Sequence, residues 1–187
     1  NFLLDTFSNV SILNGIDLHV YVSPENLEPD LLGGIIPEGV PSLMQEGEDL
    51  GERMINVFST LFTKGYKEVV IIGSDSPDLP VYMIERAFVR IQKKSGSIVV
   101  GPARDGGYYL IGMDTLNETV FSNILWSTDK VLTETIKRAD EASLSIDLLD
   151  GWYDIDTKED LKILLKSRGA DYSVKYLESI NIEEKLK

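Results

Sequence analysis

Two pairs of carboxylates stand out by their spacing. In "IIGSDSPDLP" (71–80), the apolar run Val69, Val70, Ile71 and Ile72 stops at Gly73, and Asp75 and Asp78 follow three residues apart. In "WYDIDTKEDL" (152–161), Asp154 and Asp156 flank Ile155 just ahead of Thr157. Ligands of open α/β sheets bind at the carboxyl ends of strands. A carboxylate at such an end projects into the crevice, where two or three oxygens can hold Mg²⁺ or Mn²⁺. Asp75 has no evident capping task and reads as functional. Asp78 is equally suited to cap the helix that Pro80 opens or to bind the metal. Alternation along an extended segment places Asp154 and Asp156 on one face. Alone, that pair reads as a solvated loop end. Two acidic clusters at strand-to-helix junctions point instead to one shared cation. Asp75 and Asp156 are therefore expected within reach of a single ion, in a crevice edged by Gly106 and Gly107.

A third motif, "GPARDGGYYLIG" (101–112), supports two readings. Asp-Gly between apolar runs is a hairpin signal. Gly106 and Gly107 would also let backbone approach a ligand closely, with Asp105 free to accept from hydroxyls. The spacing of Gly101 and Gly106 is superficially that of a phosphate loop, but Gly107-Tyr108 stands where Lys-Ser/Thr is required. In "GEDLGERM" (47–54), Asp49 is placed to cap a helix, and Arg53 either reaches a phosphate or pairs with Asp49. The candidate catalytic residues are Asp75 and Asp105. Candidate substrate contacts are Arg53, Ser76, Gly106, Gly107 and Tyr108, and candidate metal ligands are Asp75, Asp154 and Asp156.

Composition narrows the chemistry further. The 187 residues carry 31 acidic and 18 basic side chains, a net charge of −13. Nucleic-acid binding is disfavoured, because it needs clustered Lys and Arg. An acidic protein that handles phosphates does so through a bridging cation. Cys is absent and His19 is the single histidine, which excludes thiolate chemistry and argues against the usual zinc sites and His-based triads. His19 lies in "IDLHVYV", a strand-like run. No apolar stretch approaches a membrane span and no signal-peptide pattern appears; the absence of Cys fits an expected cytoplasmic setting. Nothing in the sequence marks an oligomer interface.

These motifs need a frame. Strands are expected at 16–22, 68–73, 97–102, 108–113 and 144–149, with helices between them. One helix carries Leu50, Met54, Val57, Phe58 and Leu61 and ends near Gly65. A second opens at Pro80. A third starts from a cap at Thr128, and a fourth follows a capping pattern of Thr157 with Asp160. Residues 25–51 read largely as a surface loop, Trp126 as a core residue, and 168–187 as a polar, weakly helical tail. "FLLDTF" at the start reads as the end of a helix whose beginning and preceding strand lie outside the chain. Alternating strands and helices imply one α/β domain with a mostly parallel central sheet.

Five stretches, "GEDLGERM", "IIGSDSPDLP", "GPARDGGYYLIGM", "FSNILWSTDKVL" and "YDIDTKEDL", occur in an order that resembles the selenodomain-associated, glycosyltransferase-like transferases. That group lies in the nucleotide-diphospho-sugar transferase superfamily and is similar to molybdenum cofactor and phospholactate guanylyltransferases. The resemblance spans about residues 2–165. It implies a three-layer α/β/α sandwich with a nucleotide in the sheet crevice. It also implies a metal on Asp75 and Asp156, with Asp154 adjacent, and an acceptor or sugar side near Asp105 to Tyr108. The activity implied is a metal-dependent transfer from a nucleotide or nucleotide-sugar to a small-molecule acceptor. A binding module without catalysis is the alternative. Two departures stand out. The motif is Asp-x-x-Asp rather than the Asp-x-Asp of many glycosyltransferases, and the family's first strand and nucleotide loop would precede Asn1.

Overall fold

The computed structural model describes residues 1–24 and 34–185. Its centre is a four-stranded sheet of β3 (Val69–Ile72), β4 (Ser97–Pro102), β5 (Tyr108–Met113) and β6 (Ser145–Leu148), in the order β3-β5-β4-β6. β5 runs antiparallel to both β3 and β4, and β6 runs parallel to β4. Three strands thus share one direction, and the reversed strand is the second arm of the expected Asp-Gly hairpin. A separate two-stranded parallel sheet pairs β1 (Val20–Val22) with β2 (Ser42–Met44).

The apolar strands are continuous because both faces of the sheet are covered. Ile98, Val100, Ile111 and Met113 belong to a cluster with Met54, Phe58 and Leu61 of α2 (Leu50–Thr63). Val99 and Leu110 belong to a second cluster with Met83, Ile84, Ala87 and Ile91 of α3 (Val81–Lys93). This is the expected three-layer arrangement. A fully buried side chain of this size is worth about 1.5–3 kcal/mol. Ile98, Val99, Val100, Leu110, Ile111 and Met113 are all at most 1% exposed, so these two strands are the rigid base of everything their ends carry.

The helix starts follow their local chemistry. Asp49 caps α2 by accepting from the Glu52 backbone N–H at 2.9 Å. Thr157 and Asp160 form a complete capping box at α5 (Lys158–Leu164). Pro80 precedes α3, with no side-chain cap there. One cap is corrected. The helix expected from Thr128 is α4 (Val131–Glu141) and begins three residues later, with Lys130 in the cap position, while the Thr128 hydroxyl donates to the Leu125 carbonyl at 2.8 Å.

Other boundaries also moved. The strand expected at 16–22 is ordered as β only from Val20, and β2 lies inside the stretch expected to be loop; 25–33 fall outside the described residues. The C-terminal segment, expected as a polar and weakly helical tail, carries α6 (Asp171–Ser179) and α7 (Ile182–Lys185). Leu164, Ala170 and Leu177 form a third buried cluster with Phe2 and Ile155 at its edge. Asp5 of α1 (Phe2–Val10) is buried beneath α6. It accepts from the backbone N–H of Tyr172 at 2.8 Å and of Ser173 at 2.9 Å, and from the Ser173 hydroxyl. A cap delivered from the opposite end of the chain leaves no local trace in the sequence.

Among the described residues no strand pairs with the outer edge of β3. That edge opens on a cleft of about 1390 Å³ that reaches from Tyr21 past β3 to the strand ends carrying Asp75, Asp105, Asp154 and Asp156.

Candidate functional site

The turn after β3 and the extended segment 152–156 are stitched together. The Ile155 N–H donates to the Asp75 carbonyl at 2.9 Å. The buried Ser76 hydroxyl lies 2.8 Å from Asp154 Oδ1 and 2.9 Å from the Tyr153 carbonyl, sharing one proton between two acceptors. These bonds bring the two acidic clusters to one rim of the cleft. Asp154 and Asp156 both line it, and Ile155 turns into the third cluster, as the alternation of an extended segment requires.

The carboxylates feel one another. Burial pushes the Asp154 carboxyl above the usual carboxylate range. The Ser76 hydrogen bond opposes this, while repulsion from Asp105, Asp156 and Asp75 adds to it. Four carboxylates from three loops therefore share one electrostatic neighbourhood. Among the described residues no three acidic or histidine side chains converge into a preformed metal centre. The Asp75 carboxylate is exposed and accepts a 3.3 Å bond from Ser74.

Several candidates take roles the sequence did not assign them. Ser76, expected to touch substrate, is instead 5% exposed and committed to Asp154 and Tyr153. Asp78 neither caps α3 nor faces the cleft. It is 4% exposed and accepts from Tyr153 Oη at 2.5 Å, Ser167 Oγ at 2.5 Å and Trp152 Nε1 at 3.3 Å. Burial and the Asp78 carboxylate together push the Tyr153 phenol far above its ordinary value.

Gly106 was expected to make room for a ligand. Its φ is +92°, and an added Cβ would lie 2.2 Å from the Asp129 carbonyl oxygen. The space it clears is for the chain leading into α4, whose Leu132 N–H donates to the Gly106 carbonyl at 2.9 Å. Gly107 does line the cleft, and a Cβ there would meet only the Asp105 carboxylate, at 3.2 Å. Asp105 Oδ1 accepts from the Gly107 N–H at 2.8 Å, which closes the hairpin turn.

Arg53, Met54, Tyr108 and Trp126 line the same cleft as the acidic rim. Arg53 Nε donates to the Gly47 carbonyl at 3.2 Å, so the loop before α2 orients its guanidinium. Burial raises the Tyr108 phenol well above its ordinary value, which keeps it a neutral hydrogen-bonding group. Trp126 packs on the first cluster as expected, and its buried Nε1–H has no partner among the described residues. Farther along, His19 Nε2 lies 2.9 Å from Tyr66 Oη, which donates to Asp17 at 3.0 Å. Burial, then Lys64, lowers the His19 pKa, which fits a structural histidine.

The sequence reading missed the Asp78 hub and Arg104. The Arg104 guanidinium lies 5.2 Å from the centre of the Tyr153 ring, one residue from Asp105. The only sequence signal for either was the adjacency of Trp152 and Tyr153 to Asp154.

Comparison with known proteins adds the following. Residues 6–128 match the family described as "Uncharacterized protein conserved in bacteria (DUF2064)". Among solved structures, a provisionally named nucleotide-diphospho-sugar transferase from Desulfovibrio desulfuricans G20 is 30% identical with a TM-score of 0.83, over 95% of this chain and 80% of that one. A 4-diphosphocytidyl-2C-methyl-D-erythritol synthase is 15% identical with a TM-score of 0.63, over 87% of this chain and 88% of that one. A CMP:2-keto-3-deoxy-manno-octonic acid synthetase complexed with CTP is 11% identical with a TM-score of 0.59, over 87% and 85%. The last two establish a shared fold. Among curated proteins no significant relative is found. Among the described residues no helix is long and apolar enough to cross a membrane.

Proposed function

The chain belongs to the DUF2064 family, and from its similarity to a nucleotide-diphospho-sugar transferase together with the carboxylate cleft we propose a metal-dependent transferase acting on a nucleotide-activated substrate, by nucleotidyl or glycosyl transfer. The carrying observation is the junction of the Asp75 turn with the segment bearing Asp154 and Asp156. The fold neighbours support the reading. One is named as a nucleotide-diphospho-sugar transferase and one was captured with CTP.

The donor set fits a hard cation. The acidic rim offers only oxygen ligands, which suit Mg²⁺ or Mn²⁺ rather than zinc. Mg²⁺ commonly takes one or two protein carboxylates and completes its shell with phosphate and water. Asp75 and Asp156, with Asp154 beside them, can therefore hold it without a preformed three-carboxylate cage. The bound ion would neutralise phosphate charge and orient the diphosphate.

The chain's own residues supply the rest. Arg53 offers a cation to phosphate or sugar, with Gly107 and Tyr108 lining the same cleft. Asp105 stands at the rim as an acceptor for the proton of an attacking hydroxyl. The partners are a nucleotide or nucleotide-sugar and a small-molecule acceptor.

Thermal-shift measurements with nucleoside triphosphates and sugar nucleotides, with and without Mn²⁺, test this directly. Stabilisation that requires metal, followed by turnover of the stabilising ligand, is expected. Absence of any metal-dependent shift would sink the proposal. Stabilisation without turnover would leave a binding module.

A further inference from the structure

We propose that Asp78 is a positioning residue, whose buried carboxylate holds the turn bearing Asp75 against the segment bearing Asp154 and Asp156. It thereby sets the spacing of the acidic rim. The inference rests on the metal reading above and extends it to a residue outside the cleft.

Burying a carboxylate is costly unless its oxygens are satisfied. Asp78 is 4% exposed and meets three donors, Tyr153 Oη, Ser167 Oγ and Trp152 Nε1. The arrangement is directional. Asp78 follows Asp75 by three residues, and two of its donors immediately precede Asp154. The third donor, Ser167, ties the same carboxylate to the chain beyond α5. A second strap runs in parallel: Asn9 Nδ2 donates to the Pro77 carbonyl at 2.9 Å and to the Gly169 carbonyl at 2.8 Å. The turn is thus gripped on the side away from the cleft, which leaves the Asp75 carboxylate facing solvent and ligand. Outer-shell groups of this kind orient the residues that touch a metal.

The test uses the full chain and two readouts. Asp78→Asn keeps the volume but turns an NH₂ toward a ring of donors. The first readout is amide exchange at Ile155, whose N–H donates to Asp75, compared with Val99 and Ile111 in the sheet. The second is Mn²⁺ binding, with and without a nucleoside triphosphate, followed by electron paramagnetic resonance. Exchange at Ile155 is expected to accelerate at least about tenfold while the sheet amides stay unchanged, with Mn²⁺ affinity weakened about 10–100-fold. A folded Asp78→Asn protein with either readout as in wild type overturns the proposal. Should that variant fail to fold, Tyr153→Phe combined with Ser167→Ala removes two donors and faces the same two criteria. A wild-type protein that binds no Mn²⁺ overturns the metal reading and this proposal together. That failure is told apart because it appears in the wild type itself.

Discussion

The Ser76 hydroxyl lies 2.8 Å from an Asp154 carboxylate oxygen, across 78 residues of chain. One residue belongs to the turn after β3, the other to the run before α5. Their contact turns two unremarkable acidic pairs into one rim.

Among the described residues Asp75 accepts one long hydrogen bond, from its neighbour Ser74, and caps no helix. Asp75→Asn is therefore expected to abolish metal-dependent nucleotide binding while leaving the metal-free protein equally or more stable, since one of several repelling charges is gone. Denaturant melts of both proteins check this. A loss of about 1 kcal/mol, the size of a broken cap, would show that the carboxylate is structural.

The Asp154 carboxyl titrates above its usual range, chiefly through burial, with Asp105, Asp156 and Asp75 adding to the shift against the Ser76 bond. A carboxyl raised in the folded state stabilises the fold where it is protonated, and that contribution is lost as pH rises through its folded value. Melting temperatures taken from about pH 4, the ordinary Asp range, up to neutrality are expected to fall in wild type relative to Asp154→Asn. Parallel curves for the two proteins would remove Asp154 from the account.

Adjacent glycines are expected to part ways. Gly106→Ala forces a Cβ to within 2.2 Å of the Asp129 carbonyl oxygen at a φ of +92°, and is expected to cost at least about 2 kcal/mol. Gly107→Ala meets first the end of the Asp105 side chain, at 3.2 Å. It is expected to fold normally and weaken ligand binding, because Gly107 lines the cleft. Urea melts paired with thermal-shift titrations read both effects, and equal stability of the two variants would contradict the packing given to Gly106.

The sequence by itself determined what local physics controls. Largely apolar runs marked 97–102 and 108–113, and β4 and β5 occupy the same bounds, because strands buried on both faces read as near-continuous apolar segments. Asp-Gly at the hairpin and Thr157 with Asp160 at α5 were equally legible, since a turn or a cap is written within four residues. The acidic pairs could be located at strand ends for the same reason. Tertiary structure alone decided that Ser76 braces Asp154, that Asp78 joins Trp152, Tyr153 and Ser167, that Gly106 yields to Asp129, and that Asp5 caps α6. Each of these is a contact between side chains or backbone distant in the chain, from Gly106 and Asp129 up to the 168 positions that separate Asp5 from Ser173. Nothing near either partner specifies the other. The burial that makes such hydrogen bonds obligatory exists only once the layers have packed.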